Sequence, residues 1–243
     1  MSGVKKAFVL AGGHGTRLRP FTYEIPKPLL PVRGRPVLEY NLENLQVHGV
    51  KEVILGVGYK ADKIKEYFGS GEKLGLKIDY SLEKELLGTA GALKQAQEHF
   101  NETFLMCNGD EVKDIEYDLM IETHRKNSAS GTLALVEVED SSDFGAVSTD
   151  GEKIIEFHEK EGIKRKGIVS AGAYVLEPSV FDLIPEKEKF SIEKGVFPKL
   201  AEEKKLFGCN MATQFFPADN PVRYEKAIME WKGIRGGRKL EDR

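Results

Sequence analysis

The sequence predicts an α/β fold in which a mostly parallel sheet is covered by helices. Two observations carry this. In the first half, short apolar runs alternate with segments of helical periodicity, and the runs are apolar on both faces, as strands covered by helices must be. In the second half, the apolar runs are separated by Asp-Gly and Ser-rich turns, which adds antiparallel pairing.

The elements follow in order. KKAFVL is the first strand. VLEYNLENLQVHG places Leu38, Leu42 and Leu45 on one helical face, and Gly49 closes it. EVILGVG is a continuous apolar strand, ADKIKEYFG a helix and LKIDYSLE a further strand. GTAGALKQAQEHF is helical, and TFLMCNGD is again a strand. GTLALVEVE, FGAVSTDGEKIIEFHEK and GIVSAGAYVLEP supply the later strands. VRYEKAIMEWKG closes the chain as a helix, with Tyr224, Ala227, Ile228 and Trp231 at helical spacing. With no internal repeat and no linker, residues 1–232 read as a single domain. Residues 233–243, glycine-rich and charged, read as a flexible tail.

The 243 residues are 40% apolar and 31% charged, with a net charge of −3. No global basic field points to nucleic acid. Cys107 and Cys209 are the two cysteines, too few for a disulfide framework or a zinc site. No signal-peptide pattern and no membrane-length apolar run occurs, so a cytoplasmic protein without membrane partners is expected.

Chemistry concentrates after the first strand, in LAGGHGTRLRPFTYEIPKPLLP. Glycines at a strand end let backbone N–H groups close around phosphate oxygens. A Walker A loop needs a lysine directly after its glycines, which is absent. A dinucleotide fingerprint needs a third glycine where Leu18 stands. What remains is a backbone cradle of Gly12, Gly13, Gly15 and Thr16, then Arg17, then Lys27 held between Pro26 and Pro28. Proline fixes φ on both sides of the lysine and stiffens its approach. A triphosphate supplies the charge such a set needs. The plain alternative, a glycine turn beside solvated basic residues, leaves the proline box without a purpose.

These residues resemble the signature of the sugar-1-phosphate nucleotidyltransferases, the nucleotide-sugar pyrophosphorylases. The resemblance continues through LGTAGALKQA, FLMCNGD, FGAV, IIEFHEK, SAGAYVLEP and FSIEKGVFPKLA. It implies a three-layer α/β/α, Rossmann-like nucleotide-binding fold around a mixed central sheet. The implied reaction joins an NTP to a sugar 1-phosphate and releases pyrophosphate. GTAGALK is most similar to the mannose-1-phosphate guanylyltransferase branch, which implies GTP with mannose 1-phosphate or a related sugar. The rivals are a non-catalytic relative that only binds nucleotide-sugars, and a molybdenum-cofactor nucleotidyltransferase, which the Glu159-Lys160 and FSIE segments disfavour.

The resemblance also implies roles. Arg17 and Lys27 clamp the triphosphate. Leu10, Ala11, Gly12, Glu85 and Gly88 meet the nucleotide. Lys160 meets the sugar phosphate, Glu159 the sugar hydroxyls, and Gly145, Ser170 and Gly172 line the sugar pocket. Ser170 stands where many relatives carry asparagine. Asp110 holds Mg²⁺, whose hard oxygen preference suits a carboxylate; a turn cap is its alternative. Because the nucleophile is a phosphate oxygen, ionised at neutral pH, no general base is needed. His14 reads as solvated.

One motif departs from the family pattern. Relatives read W-x-D-x-G-T near the end, whereas QFFPADNPVRYEKA puts Pro217 at the usual metal aspartate and Asp219 two residues later. Asp219 is either the displaced second ligand or a cap for the following helix. A homodimer is the assembly the resemblance suggests.

Overall fold

KAFVL forms a strand because every residue of its middle is buried: Ala7, Phe8 and Val9 are fully inaccessible. The computed structural model describes residues 3–160, 162–186, 188–211 and 213–239. Its main elements are β1 (Lys6–Leu10), α1 (Phe21–Glu24), β2 (Pro31–Val32), β3 (Arg35–Pro36), α2 (Val37–Val47), β4 (Glu52–Val57), α3 (Ala61–Phe68) and β5 (Lys77–Leu82). Next come α4 (Gly88–Gln95), β6 (Phe104–Asn108), β7 (Glu111–Lys113), α5 (Tyr117–Lys126), β8 (Gly131–Val138), β9 (Gly145–Asp150) and β10 (Lys153–Glu159). The last are β11 (Gly167–Leu176), α6 (Phe197–Glu202), β12 (Leu206–Asn210), β13 (Phe215–Pro217) and α7 (Pro221–Glu230). The expected α/β, Rossmann-like class with mixed strand directions is the one found.

The chain divides into two compact units. The first comprises Lys5–Leu86, Cys107–Ile115 and the chain from Thr213 on. Here β5, β4 and β1 pair in parallel, with Lys6 opposite Glu52 and Leu10 opposite Gly56. Crossover helices join them, as parallel strands require. A small ribbon, β7 against β13, runs antiparallel with Glu111 opposite Pro217. Its core gathers Leu18, Leu30, Val32, Val37, Tyr40, Val112, Ala218, Tyr224, Ala227, Trp231 and Ile234. Helix α2 buries Leu38, Leu42 and Leu45 as expected, and it also buries Glu39, Asn41, Glu43 and Asn44. Ile228, grouped with the core by its spacing, is 37% exposed; α7 turns inward on Tyr224 and Ala227 instead.

The second unit comprises Leu87–Met106 and Glu116–Ala212. Strands β8 and β12 are parallel, while β11 with β8 and β9 with β10 are antiparallel. The Asp-Gly signal marks the β9–β10 hairpin, whose register places Asp150 opposite Lys153. Helix α5 has no counterpart among the elements expected from the sequence, although Tyr117, Met120, Ile121 and His124 are buried at helical spacing. Strand β12, LFGCN, carries too short a pattern to stand out.

The tail is a correction. Of residues 233–243, those after 239 lie outside the described residues, but 233–239 are tied down. Ile234 is 6% exposed. Arg235 Nε donates to Asp114 Oδ2 at 2.5 Å, and Arg238 donates to Glu39 at 2.6 Å and Glu43 at 3.1 Å. Glycine content and charge suggested fraying, but these arginines neutralise carboxylates that are otherwise buried.

Candidate active site

The loop leaving β1 is shaped by its carbonyls. Leu10 O accepts from Gly109 N at 2.8 Å, Gly12 O from Tyr59 N at 3.2 Å, and Gly15 O from Leu18 N at 3.0 Å and the Thr22 hydroxyl at 2.8 Å. Ala11 N donates to Gly56 O at 2.8 Å. From Gly12 to Arg17, by contrast, no N–H group finds an acceptor among the described residues. Backbone carbonyls held inward and successive N–H groups left over make a cradle for anion oxygens.

Gly15 makes the loop possible. Its φ is +61°, and a Cβ there would stand 2.9 Å from Thr22 Cγ2 and 3.1 Å from Lys27 Cβ. The close approach seats Lys27 against the loop. Lys27 lies at the start of a 3-10 turn behind Pro26 and is 8% exposed. Its Nζ donates to Asp110 Oδ2 at 2.6 Å. Burial opposes the lysine's charge, but the Asp110 carboxylate, with Glu111 and Asp219, more than offsets it, so Lys27 holds its proton above its ordinary range. For Asp110, burial likewise opposes charge, and Lys27 and Lys113 pull the carboxyl below its usual value.

Asp110 reaches the loop because Gly109 packs against it. A Cβ on Gly109 would meet Leu10 O at 2.8 Å and Leu38 Cδ1 at 2.9 Å. Downstream, the β7–β13 ribbon ties Asp110 to Asp219. With Glu111 opposite Pro217, each aspartate lies just beyond an end of the paired residues. Pro217 is thus a ladder residue, and Asp219 occupies the turn beyond it.

The capping question is settled by Asn220. Its Oδ1 accepts from Arg223 N at 3.0 Å and starts α7. Asp219 instead accepts from Arg17 Nη1 at 3.0 Å and from Arg223 Nη1 at 3.1 Å. Four of the predicted residues, Arg17, Lys27, Asp110 and Asp219, therefore form two cation–carboxylate pairs beside one loop. Among the described residues no group of three acidic, histidine or cysteine side chains is placed to hold an ion. Mg²⁺ asks for less, one or two carboxylates with phosphate oxygens and water, and Asp110 and Asp219 fit that.

Among the described residues Glu85 meets no hydrogen-bonding partner. Glu83, which sequence reasoning passed over, does stand at the loop: a Cβ on Gly12 would meet its Oε1 at 2.6 Å. Nothing in LEKE distinguishes the two glutamates; β5 does, by carrying the chain past Gly12 two residues earlier.

The sugar-side candidates belong to the second unit. Gly145 pairs with Glu159 across β9 and β10, and a Cβ on it would meet Phe157 Cζ at 2.5 Å and Glu159 Oε2 at 3.2 Å. The Glu159 side chain is 14% exposed and takes Lys160 Nζ at 3.3 Å. Burial pushes its carboxyl up, and Lys160 only partly offsets this. Lys160 has φ +48° and a half-exposed side chain. Ser170 and Gly172 sit where β11 loses register with β8, and Ser170 Oγ accepts from Gly172 N at 3.3 Å. Such irregularities re-aim side chains. Gly88, expected at the nucleotide, faces Phe190: a Cβ would meet Phe190 O at 2.6 Å. Thr89 Oγ1 donates to Glu193 at 2.6 Å, so the GTAG and FSIE motifs hold each other.

The nucleotidyl transferase family model matches residues 6–232. Mannose-1-phosphate guanylyltransferase of Mycobacterium tuberculosis is 40% identical over 83% of this chain, which spans 57% of that protein's length. D-glycero-alpha-D-manno-heptose 1-phosphate guanylyltransferase of Campylobacter jejuni is 39% identical over 78% of this chain and 83% of its own. Among solved structures, HddC from Yersinia pseudotuberculosis complexed with GMP-PN superposes with a TM-score of 0.80 at 31% identity, covering 93% of this chain and 99% of that one. UTP–glucose-1-phosphate uridylyltransferase of Synechocystis is 33% identical over 95% of this chain, which spans 63% of that protein.

Proposed function

The chain belongs to the nucleotidyl transferase family, and we propose that it joins GTP to mannose 1-phosphate, or to a heptose 1-phosphate of the same configuration, releasing pyrophosphate. The observation that carries this is the row of unaccepted N–H groups from Gly12 to Arg17, flanked by Lys27. Relatives named for guanylyl transfer to manno-configured sugars support the choice of base and sugar.

In this reading the loop and Lys27 bind the β- and γ-phosphates, and Arg17 joins them by leaving Asp219. These groups stabilise the pyrophosphate as it departs, which is the main demand of an in-line attack by one anion on another. Glu83 accepts from the N1–H and N2 amine of guanine, donors that adenine does not offer together. Glu159 accepts from sugar hydroxyls, and Lys160 pairs with the sugar phosphate. Asp110 and Asp219 would hold Mg²⁺, which supplies charge to the reacting phosphates when bound. We place the reaction in the cytoplasm and take a homodimer as the assembly to test by light scattering. No helix among the described residues is long and apolar enough to cross a membrane.

The test is pyrophosphate release from a matrix of the four common NTPs against sugar 1-phosphates. GTP with manno-configured sugars should turn over fastest. Tight nucleotide-sugar binding without turnover in any cell of the matrix would favour a non-catalytic relative instead.

A further inference from the structure

Beside the loop lies a pair of charges the proposed reaction does not use. Glu111 and Lys113 both belong to β7, and their side chains are 17% and 1% exposed. A lysine is almost never fully buried without a partner. The Lys113 ammonium donates to Glu111 Oε2 and to the Asn108 carbonyl, each at 3.1 Å. It thereby bridges the residues on either side of the Gly109–Asp110 turn. The Asn41 amide donates to Glu111 O at 2.8 Å and fixes the same stretch from α2.

Asp110 leaves this turn towards Lys27, and Glu111 follows it directly. Lys27 is attracted to Glu111 as well as to Asp110. Two adjacent carboxylates thus compete for one lysine that is itself buried, and a buried charge goes to whatever counter-charge is unclaimed. Which carboxylate holds Lys27 decides where its ammonium points.

We infer that Lys113 is a positioning residue: by claiming the Glu111 carboxylate it leaves Lys27 to Asp110, and so keeps the Lys27 ammonium at the loop that binds phosphate. The inference rests on the reading of that loop as a triphosphate site, and it assigns a purpose to a buried ion pair that hydrophobic residues could replace.

The test compares Lys113→Met, Lys113→Arg and the double variant Glu111→Gln/Lys113→Met. Inorganic triphosphate is the calorimetric probe, and a crystal structure of each variant is determined. Lys113→Met should weaken triphosphate binding at least ~10-fold, with the Lys27 ammonium moved within hydrogen-bond distance of Glu111. Lys113→Arg and the double variant should bind within ~3-fold of the parent, the latter although it lacks the lysine altogether. If Lys113→Met does not fold, the double variant decides alone: binding within ~3-fold supports the inference, and a loss of ~10-fold or more overturns it. Parent-like binding by folded Lys113→Met, or Lys27 still on Asp110 in its structure, also overturns it. A parent protein that binds no triphosphate refutes the proposed function; the position of Lys27 in Lys113→Met then still decides this inference.

Discussion

Replacing Asp219 with asparagine separates the two roles its position allows. The change removes one charge and keeps the shape. Were Asp219 a cap, its loss would appear as stability; the structure gives that task to Asn220, whose side chain accepts from Arg223 N at 3.0 Å. What Asp219 holds is Arg17, 60% exposed, and Arg223 one helical turn on. Part-exposed ion pairs contribute about 0–1 kcal/mol each, and an amide oxygen still accepts from either guanidinium. If the amide keeps about half of the ~2 kcal/mol that the two pairs contribute at most, then at roughly 2–4 °C per kcal/mol for a chain of this size the melting temperature should fall by no more than ~4 °C. Turnover should fall much further. Losing one charged group that acts on the transferring phosphates typically costs on the order of 10²-fold, about 2.7 kcal/mol of barrier. Asn220→Ala is the mirror control: about 1 kcal/mol of stability lost with the cap, and turnover within about threefold of the parent. The assay is pyrophosphate release over a Mg²⁺ titration, with thermal unfolding in parallel. If Asp219→Asn melts like Asn220→Ala and turns over at the parent rate, the assignment of the two side chains is wrong.

Three further outcomes are expected. The Lys27–Asp110 pair should make Asp110→Asn less stable than the parent at pH 7. Because the Asp110 carboxyl is depressed, that difference should persist down to the usual aspartate range near ~3.9 and vanish as pH falls through the lower folded value; a gap in melting temperature that stays constant into strong acid would contradict the pairing. Gly15→Ala should cost about 1–2 kcal/mol for its φ of +61°. By pressing on Lys27 it should also raise KM for the NTP while KM for the sugar phosphate stays put. Arg238→Ala should lower stability by about 1 kcal/mol in chemical denaturation, since Arg35 remains on Glu39 and Glu43; no loss at all would mean that 233–239 are not held by charge.

Much of this was legible beforehand because it is local. Strand and helix periods, the Asp-Gly hairpin and the glycine-rich loop depend on neighbours in sequence, and the structure has them in place. What escaped depends on register. Glu83 rather than Glu85 meets Gly12 because β5 runs alongside β4 in one alignment and no other. Helix α2 looked amphipathic, yet its polar face is buried because Arg35 and Arg238, distant in sequence from each other, neutralise Glu39 and Glu43. The same two carboxylates turned a glycine-rich, charged tail into a docked segment. Composition cannot show such pairing, because it reports how many charges there are and not which ones meet.

The missing aspartate illustrates the point most sharply. By position alone, Pro217 implies a site short of one ligand. Proline donates no hydrogen bond, but an edge ladder tolerates it, and β13 pairs with β7 regardless. That pairing, not the identity of residue 217, governs what reaches the loop. It places Asp110 and Asp219 just past the paired residues, and each then takes one of the two cations that the loop also needs. Lys27 and Arg17 are thus counted twice, once against carboxylates and once against phosphates. A triphosphate that takes both would leave Asp110 without Lys27 and Asp219 with Arg223 alone, a deficit that a divalent cation arriving with the triphosphate would make up. In the proposed reaction magnesium would answer this pairing as well as the phosphates' own charge, and that is the argument for assigning both aspartates to it rather than either one singly.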